Sequence, residues 1–234
     1  MKKNLLALAF LVGLLTCCKS EDAPIKPVKP TDPGSINKEY MSRAETTFAN
    51  IFKYYWSDKV RMMFGSYPNT LGTPQEPSSP DYNSHAYLWG LGSVVSAFNA
   101  IVQNTDNVDF RMTYESRLKE TLLKYYNTTK EPMCFGCFVN PHDQRLYDDA
   151  IWVGIDLADL YSKTKDSWYL DYAKSVWNFV LSGKDDELGG GVYWDENAKD
   201  SKNTCSNAPA VVLALKLYQI TNDAAVSYTH LTLP

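Results

Sequence analysis

The feature that most constrains the fold is a regular alternation between two kinds of helical segment. Segments with one apolar stripe and charged residues elsewhere are predicted at 36–56, 108–127 and 166–182. Between them lie segments that are apolar around most of their circumference: 85–104, 147–163 and 207–220. A helix with one stripe can face solvent, whereas a helix that is apolar all round must be covered on both sides. The order therefore predicts outer and inner helices in alternation.

The ends of the inner segments reveal a repeat. Thr105, Thr164 and Thr221 each close such a segment and are followed within two residues by an aspartate, and they lie 59 and 57 positions apart. Repeats of this length are typical of stacked supersecondary units. Concentric helix pairs around an apolar inner ring describe an all-α fold, the α/α toroid. The alternative is an open array of the tetratricopeptide kind, whose repeat is nearer about 34 residues.

Finer expectations follow for the ends and loops of these elements. In the first outer helix the buried stripe is predicted to comprise these residues: Tyr40, Ala44, Phe48, Ile51 and Tyr55. Residues 65–84 form a proline-rich loop, and residues 183–206 are expected to form a short hairpin after Gly189-Gly190-Gly191. Because no outer helix follows Asp223, we expect the chain to end within a repeat, with a tail at 224–234 that need not be native sequence.

The N-terminal residues have the pattern of a targeting signal. Two lysines precede an apolar run of about 11 residues, Leu5 to Leu15, which is too short to span a bilayer. The pair Cys17-Cys18 resembles a bacterial lipobox, so we expect a signal peptide at 1–17 and lipidation of Cys18 or, alternatively, Cys17. Residues 18–35 carry proline at every third position, which favours an extended tether before a folded domain at 36–223. The expected location is the outer membrane or cell surface of a bacterium, held by the lipid alone; plain secretion is the alternative.

Composition limits the partners. The formal net charge is −4, so the chain lacks the basic surface with which proteins displace counterions from nucleic acid. Aromatic residues make up 13% of the chain, and such rings either fill a core or stack on the C–H faces of sugars. We therefore expect no nucleic-acid partner, and a monomer for the full-length protein.

Two consecutive carboxylates, Asp148 and Asp149, open the otherwise apolar helix at 147–163. Aspartate is favoured in the first turn of a helix, where it caps free N–H groups and meets the positive end of the helix dipole. Two neighbouring acids beside Trp152 and Tyr147 also push one pKa upward, through repulsion and burial. One ionised and one protonated carboxyl is the pair that glycoside hydrolysis needs. Pattern alone leaves capping and catalysis open.

The sequence around this pair resembles glycoside hydrolase family 76, the endo-α-1,6-mannanase family. The resemblance rests on Tyr147-Asp148-Asp149 with Trp152, on Gly189-Gly190-Gly191-Val192-Tyr193-Trp194, and on Asn203 and Asn207. It implies an (α/α)6 toroid, of which about the first half, three hairpins, is present here. It also implies that Asp148 is the nucleophile and Asp149 the general acid/base of a retaining mechanism. The family often has a second tryptophan where this chain has Val153.

Other residues are candidates for binding the sugar. Aromatic rings predicted to contact substrate are the following: Tyr147, Trp152, Tyr193, Trp194 and Trp89. Asn203, Asn207 and His85 are predicted to hydrogen-bond hydroxyl groups, with capping of the adjacent helices as the alternative for all three. Helical aromatics such as Trp89 belong to the core more often than to a ligand site, so burial in the core is the alternative for this residue.

The spacing Cys134-x-x-Cys137 does not predict a metal site. A single such pair without a second is a weak zinc pattern, and a disulfide or free thiols fit an exported protein better. No metal or other cofactor is expected.

The resulting hypothesis is a hydrolase that cleaves internal α-1,6 linkages of α-mannan. A non-catalytic glycan-binding lipoprotein and a different (α/α)6 carbohydrate-active enzyme are the alternatives.

Overall fold

A computed structural model describes residues 33–68, 85–139 and 144–223. The predictions for the signal peptide, the lipidated cysteine, the tail and most of the loop at 65–84 lie outside these residues. The chain divides into Met1–Lys38, of which only the start of the first helix is described, and Glu39–Pro234. Within the described ranges, no helix combines the length and the apolar character needed to cross a membrane.

Six α-helices occupy the described residues, and each lies within about three residues of its predicted bounds. They are the following: α1 Pro33–Tyr55, α2 Leu88–Asn104, α3 Val108–Tyr125, α4 Tyr147–Thr164, α5 Ser167–Ser182 and α6 Thr204–Thr221. Helix α1 begins inside the predicted tether at 18–35. Two small antiparallel hairpins, which the helical pattern did not predict, follow α1 and α3: β1 Trp56–Ser57 with β2 Met62–Met63, and β3 Tyr126–Asn127 with β4 Cys134–Phe135.

Helix α4 is the centre of the packing. It packs against α2 and α6, so that these three helices lie side by side, and it also packs against α5. Helix α1 meets α2 and α3 through aromatic rings, since Phe48 lies 6.0 Å from Phe98 and 5.3 Å from Phe110 between ring centroids. The predicted alternation of inner helices (α2, α4, α6) and outer helices (α1, α3, α5) is confirmed.

The repeat of nearly 60 residues appears in the structure as equivalent hydrogen bonds. At the end of each inner helix, the threonine Oγ1 accepts the N–H of the residue two positions on: Thr105 from Asn107 at 3.1 Å, Thr164 from Asp166 at 3.3 Å, and Thr221 from Asp223 at 3.2 Å. Polar side chains also join equivalent positions of neighbouring hairpins. Asn99 donates to Asp156, 57 positions away, and Lys216 pairs with Asp159, also 57 positions away.

Two expectations about burial are wrong. Tyr40 is 63% exposed, whereas the next residue, Met41, packs against the core, so the buried face of α1 does not include Tyr40. The inner helices are not covered all round either, since Trp89 on α2 and Trp152 on α4 are 56% and 43% exposed. Helices α2, α5 and α6 pack on α4, and they leave the side of α4 that carries Trp152 exposed.

The segment between α5 and α6 is a compact turn rather than a paired hairpin. One isolated bridge joins Lys184 to Val192, and a single 3₁₀ turn covers Glu187–Gly189. Gly189, Gly190 and Gly191 have φ of 88°, 93° and 84°, values that side-chain-bearing residues rarely adopt. The three glycines are therefore required by the backbone that turns the chain toward Trp194.

Candidate active site

The first turn of α4 holds both carboxylates. Its N-cap is Leu146, whose apolar side chain cannot accept a hydrogen bond from the helix. The N–H of Tyr147 instead donates to the carbonyl of Trp194 (3.0 Å), and the N–H of Asp149 donates to Asp148 Oδ1 (3.0 Å). Local capping thus accounts for one oxygen of Asp148 and leaves the Asp149 carboxyl without a capping role.

Asp148 is held from several sides. It is only 8% exposed, and the indole Nε1 of Trp194 donates to its Oδ2 at 3.1 Å. Burial, and then the proximity of Asp148, raise the pKa of the Cys205 thiol at the start of α6. The backbone N–H of Asp149 and the indole of Trp194 therefore fix the position of Asp148.

Asp149 faces a cleft between α2 and α4. The cleft measures about 320 Å³ and is lined by the following residues: Leu88, Trp89, Gly92, Ser93, Ser96, Asp149 and Trp152. Burial, and then the charge of Asp148, raise the pKa of Asp149 to about 6, although a hydrogen bond with Cys137 lowers it. Such a group can give and take a proton near neutral pH.

The segment that carries Trp194 is tied to both neighbouring helices. Asn207 on α6 accepts the N–H of Val192 (2.7 Å) and donates to the carbonyl of the same residue (2.9 Å). An isolated antiparallel β-bridge between Leu146 and Asp195 then aligns the segment that carries Trp194 with the start of α4. The amide of Asn207 therefore positions this segment, and its predicted contact with sugar remains a prediction.

Arg145, which the sequence pattern does not mark as a site residue, anchors the same region. Its side chain is fully buried, donates to both carboxylate oxygens of Glu196, and also reaches the carbonyl of Pro132 at 2.6 Å. Its guanidinium carbon lies 4.7 Å from the ring centroid of Phe179. A lone arginine next to an apolar helix start was the signal available in the sequence. The buried pair links the loop after α3 to the segment that carries Trp194.

Two predicted sugar contacts belong to the core. Tyr147 is 2% exposed, and its ring stacks on Phe179 with centroids 4.3 Å apart. Tyr193 is also 2% exposed; its hydroxyl donates to Asp185 at 3.0 Å and its ring lies under Lys202. Neither ring is accessible to a ligand, because neighbours that are distant in sequence cover it.

The remaining candidates divide between the cleft and its surroundings. Trp89 and Trp152 line the cleft beside Asp149. Asn203 is the N-cap of α6 and makes no capping hydrogen bond with its side chain. His85 pairs with Phe64 in an isolated bridge, and its pKa is lowered by burial and then by the charge of Lys124. Neither Asn203 nor His85 lines the cleft, and their predicted contacts with sugar remain predictions.

The cysteines in the described ranges are free thiols. Cys134 and Cys137 are buried and unlinked, and Cys205 is exposed. The described part of the chain contains no group of three or more metal-ligating side chains. Burial, and then a neighbouring aspartate, raise the pKa of two of these thiols: Asp149 does so for Cys137 and Asp148 for Cys205.

The chain folds into helical hairpins in two layers, and paired carboxylates lie at an aromatic cleft between its inner helices. This combination is typical of glycoside hydrolases with an α/α-toroid fold. Residues 39–231 match the model of glycosyl hydrolase family 76, and the chain belongs to that family. The fold is the (α/α)6 toroid, and the residues that the structure describes form three of its helical hairpins. No curated protein matches the chain.

Solved structures show the same fold. A family 76 glycoside hydrolase from a bovine Bacteroides thetaiotaomicron strain is 29% identical with a TM-score of 0.71, covering 82% of this chain and 41% of that one. A family 76 mannosidase from Bacteroides thetaiotaomicron VPI-5482 is 24% identical (TM-score 0.67; 80% and 50% covered). An inactive variant of an α-1,6-mannanase from Salegentibacter sp. HEL1_6, with two consecutive aspartates changed to asparagine and α-1,6-mannotriose bound, is 21% identical (TM-score 0.61; 84% and 49% covered). The chain thus spans about half the length of these structures.

Proposed function

We propose that the protein containing this chain hydrolyses internal α-1,6-mannosidic bonds of α-mannan with retention of configuration. The observation that carries the proposal is the Asp149 carboxyl, which faces an aromatic cleft with a pKa raised to about 6, directly beside Asp148. Membership of family 76 supports hydrolysis of a glycoside. The Salegentibacter variant supports the linkage and the use of consecutive aspartates, because it is described as inactive and binds α-1,6-mannotriose.

The two carboxyl groups have different roles in this mechanism. Asp149, protonated below about pH 6, donates its proton to the glycosidic oxygen as the bond to the anomeric carbon breaks. Asp148 attacks that carbon, and a covalent glycosyl ester forms on one carboxylate oxygen. The Trp194 indole N–H and the Asp149 backbone N–H hold the carboxylate in place for this attack. Asp149, now ionised, then takes a proton from the water that hydrolyses the ester.

The cleft wall suits a neutral sugar. Trp89 and Trp152 are 56% and 43% exposed and line the cleft together with Asp149, and such ring surfaces stack on sugar C–H faces. Only a few polar groups line the cleft besides Asp149, and the hydroxyl of Ser96 already donates to Asp156. Aromatic stacking, rather than charge, therefore supplies most of the binding energy.

A reducing-sugar assay on linear α-1,6-mannan tests the proposal. Asp148→Asn and Asp149→Asn should each abolish activity, because each removes one half of the carboxyl pair. Asp171→Asn, an exposed aspartate on α5, should retain full activity. Proton NMR of the first product should show the α anomer. Full activity of either active-site variant would contradict the mechanism, and binding without hydrolysis would indicate a glycan-binding protein instead.

We further propose that a lipid on Cys18, or on Cys17, holds the protein at the cell envelope. The support is the sequence pattern of two lysines, an apolar run of about 11 residues and a cysteine pair. Mass spectrometry of the mature N-terminus should find a diacylglyceryl-modified cysteine. An unmodified N-terminus would contradict the anchor.

A further inference from the structure

Helix α2 presents two serines to the cleft, and the structure accounts for the hydroxyl proton of each. The hydroxyl of Ser93 donates to the carbonyl of Trp89, one turn earlier in the same helix, at 3.3 Å. The hydroxyl of Ser96 donates to Oδ2 of Asp156 on α4. A serine hydroxyl has one proton and two lone pairs, so once its proton is used the oxygen can only accept. Both serines therefore offer acceptors to a ligand in the cleft.

Asp156 is a buried carboxylate that lies behind Ser96 and does not itself line the cleft. It is only 6% exposed and lies on the same face of α4 as Asp149, about two helical turns further on. Its Oδ1 accepts the amide N–H of Asn99 at 2.8 Å. Gln103 in turn donates to the side-chain oxygen of Asn99 at 3.0 Å, which fixes the orientation of that amide. Asp156 is therefore held as an acceptor on both of its oxygens.

The charge of Asp156 acts on the cleft through the serine. Burial raises the pKa of Asp156, whereas the hydrogen bonds from Ser96 and Asn99 lower it. These two bonds therefore favour the ionised carboxylate, which has no proton to return to the serine. A hydroxyl that donates to a carboxylate is polarised and becomes a stronger acceptor itself. The Ser96 oxygen is thus both directed and strengthened as an acceptor.

We propose that Ser96 is a specificity-determining residue that accepts a hydrogen bond from a free sugar hydroxyl, and that Asp156 is a positioning residue that keeps the serine proton turned away from the cleft. This inference rests on the proposed role of the cleft as a glycan site. A fluorine, ether or ester in place of that hydroxyl would leave the Ser96 oxygen without a donor, which weakens binding. An anionic substituent there would also meet the charge of Asp156. The cleft is therefore expected to select free, neutral hydroxyl groups.

Binding of fluorinated ligands tests the inference. The probes are α-1,6-mannotriose and its monofluoro analogues, in each of which fluorine replaces one hydroxyl and cannot donate. Isothermal titration calorimetry measures their binding to the full chain carrying Asp148→Asn, which lacks the nucleophile of the proposed reaction. We expect at least one analogue to bind about 10-fold more weakly than mannotriose. When Ser96→Ala is added, mannotriose should lose about the same factor, and that analogue should bind as well as mannotriose.

Matched variants separate this contact from a general disturbance of the helices. Ser162→Ala removes a hydroxyl on α4, outside the cleft, that donates to the carbonyl of Ala158 at 3.0 Å, and it should keep the full discrimination between the ligands. Asp156→Asn can donate an N–H back to Ser96, so discrimination should fall to about 2- to 3-fold. Asp159→Asn removes a neighbouring carboxylate that pairs with Lys216, and it should lower thermal stability without changing the discrimination.

The inference is overturned if the affinity ratio between mannotriose and every analogue is the same with Ser96→Ala as without it, or if the chain binds no mannotriose. Circular dichroism checks folding, and if Asp156→Asn does not fold, the comparison at Ser96 decides the outcome. The test is separate from that of the proposed reaction. Discrimination that depends on Ser96, without hydrolysis of mannan by the unmodified chain, would support this inference and refute the reaction. Hydrolysis with unchanged ratios would support the reaction and refute this inference.

Discussion

Replacing Asp149 by asparagine is expected to stabilise the folded chain at pH 8 and to leave it unchanged at pH 4. The pKa of this carboxyl is raised from the ordinary 3.8 to about 6, so folding favours its neutral form. The stability associated with the neutral form is fully present below pH 3.8 and is lost as the pH rises through about 6. An asparagine has the shape of the neutral carboxyl and never ionises, so it avoids that loss.

The size of the effect follows from the same two pKa values. One pKa unit corresponds to about 1.4 kcal/mol, so the rise to about 6 corresponds to roughly 3 kcal/mol between the ionised and neutral forms. Because part of the side chain faces the open cleft, solvent screening reduces the expected gain to about 2 kcal/mol. This gain applies to the free energy of unfolding at pH 8, where Asp149 is ionised in both the folded and the unfolded chain.

Urea unfolding followed by tryptophan fluorescence at both pH values measures this difference. Asp171→Asn, at an exposed position on α5, should change the free energy of unfolding by no more than about 0.5 kcal/mol at either pH. The reasoning is refuted if Asp149→Asn destabilises the chain at pH 8, or if its effect is the same at pH 4 and pH 8.

Three further outcomes are expected. Gly183→Ala places a Cβ 2.3 Å from Tyr147 Cζ, so it should destabilise the chain by about 1–3 kcal/mol in thermal unfolding and lower activity by displacing the start of α4. Trp194→Phe removes the indole donor to Asp148, and kcat in the mannan assay should fall by about 10- to 100-fold. Because the first chemical step needs protonated Asp149, kcat/KM should fall as the pH rises above about 6, in a profile measured at low substrate.

Matched substitutions distinguish these effects from general disturbance. Gly92→Ala meets only Val153 Cγ2, at an ordinary 3.7 Å, and should stabilise α2 by about 0.5–1 kcal/mol. Equal destabilisation by both glycine substitutions would contradict the contact with Tyr147. Tyr193→Phe removes a hydroxyl that bonds Asp185 and should leave kcat near normal. A loss as large as that of Trp194→Phe would mean that the segment's fold, rather than the indole N–H, supports catalysis.

The helices and the carboxyl pair could be predicted because their determinants are local. The period of apolar residues predicts each helix within a few residues, and Asp148 and Asp149 are adjacent in the chain. The small β-hairpins escaped prediction because strands of two residues carry no readable period. Their presence depends on the chain folding back after α1 and α3.

The surroundings of the pair could not be predicted, because they depend on contacts between distant residues. Tyr147 and Tyr193 are aromatic residues beside the site in sequence, yet Phe179 and Asp185 hold them in the core. Cys137 looked like half of a metal or disulfide pattern, whereas both cysteines of that pattern are free, buried thiols in the structure. The residue types indicated which reaction the site could perform. Only the three-dimensional structure showed which side chains contact each other around the carboxyl pair.

Side chains on the helices join neighbouring hairpins directly, in addition to the peptide that connects them. Asn99 bonds Asp156 across the inner layer, and Lys119 bonds Asp166 across the outer layer. A break in the backbone between α3 and α4 leaves both contacts intact. Two separately produced pieces would therefore retain complementary surfaces, and their reassembly would depend on protein concentration rather than on covalent continuity.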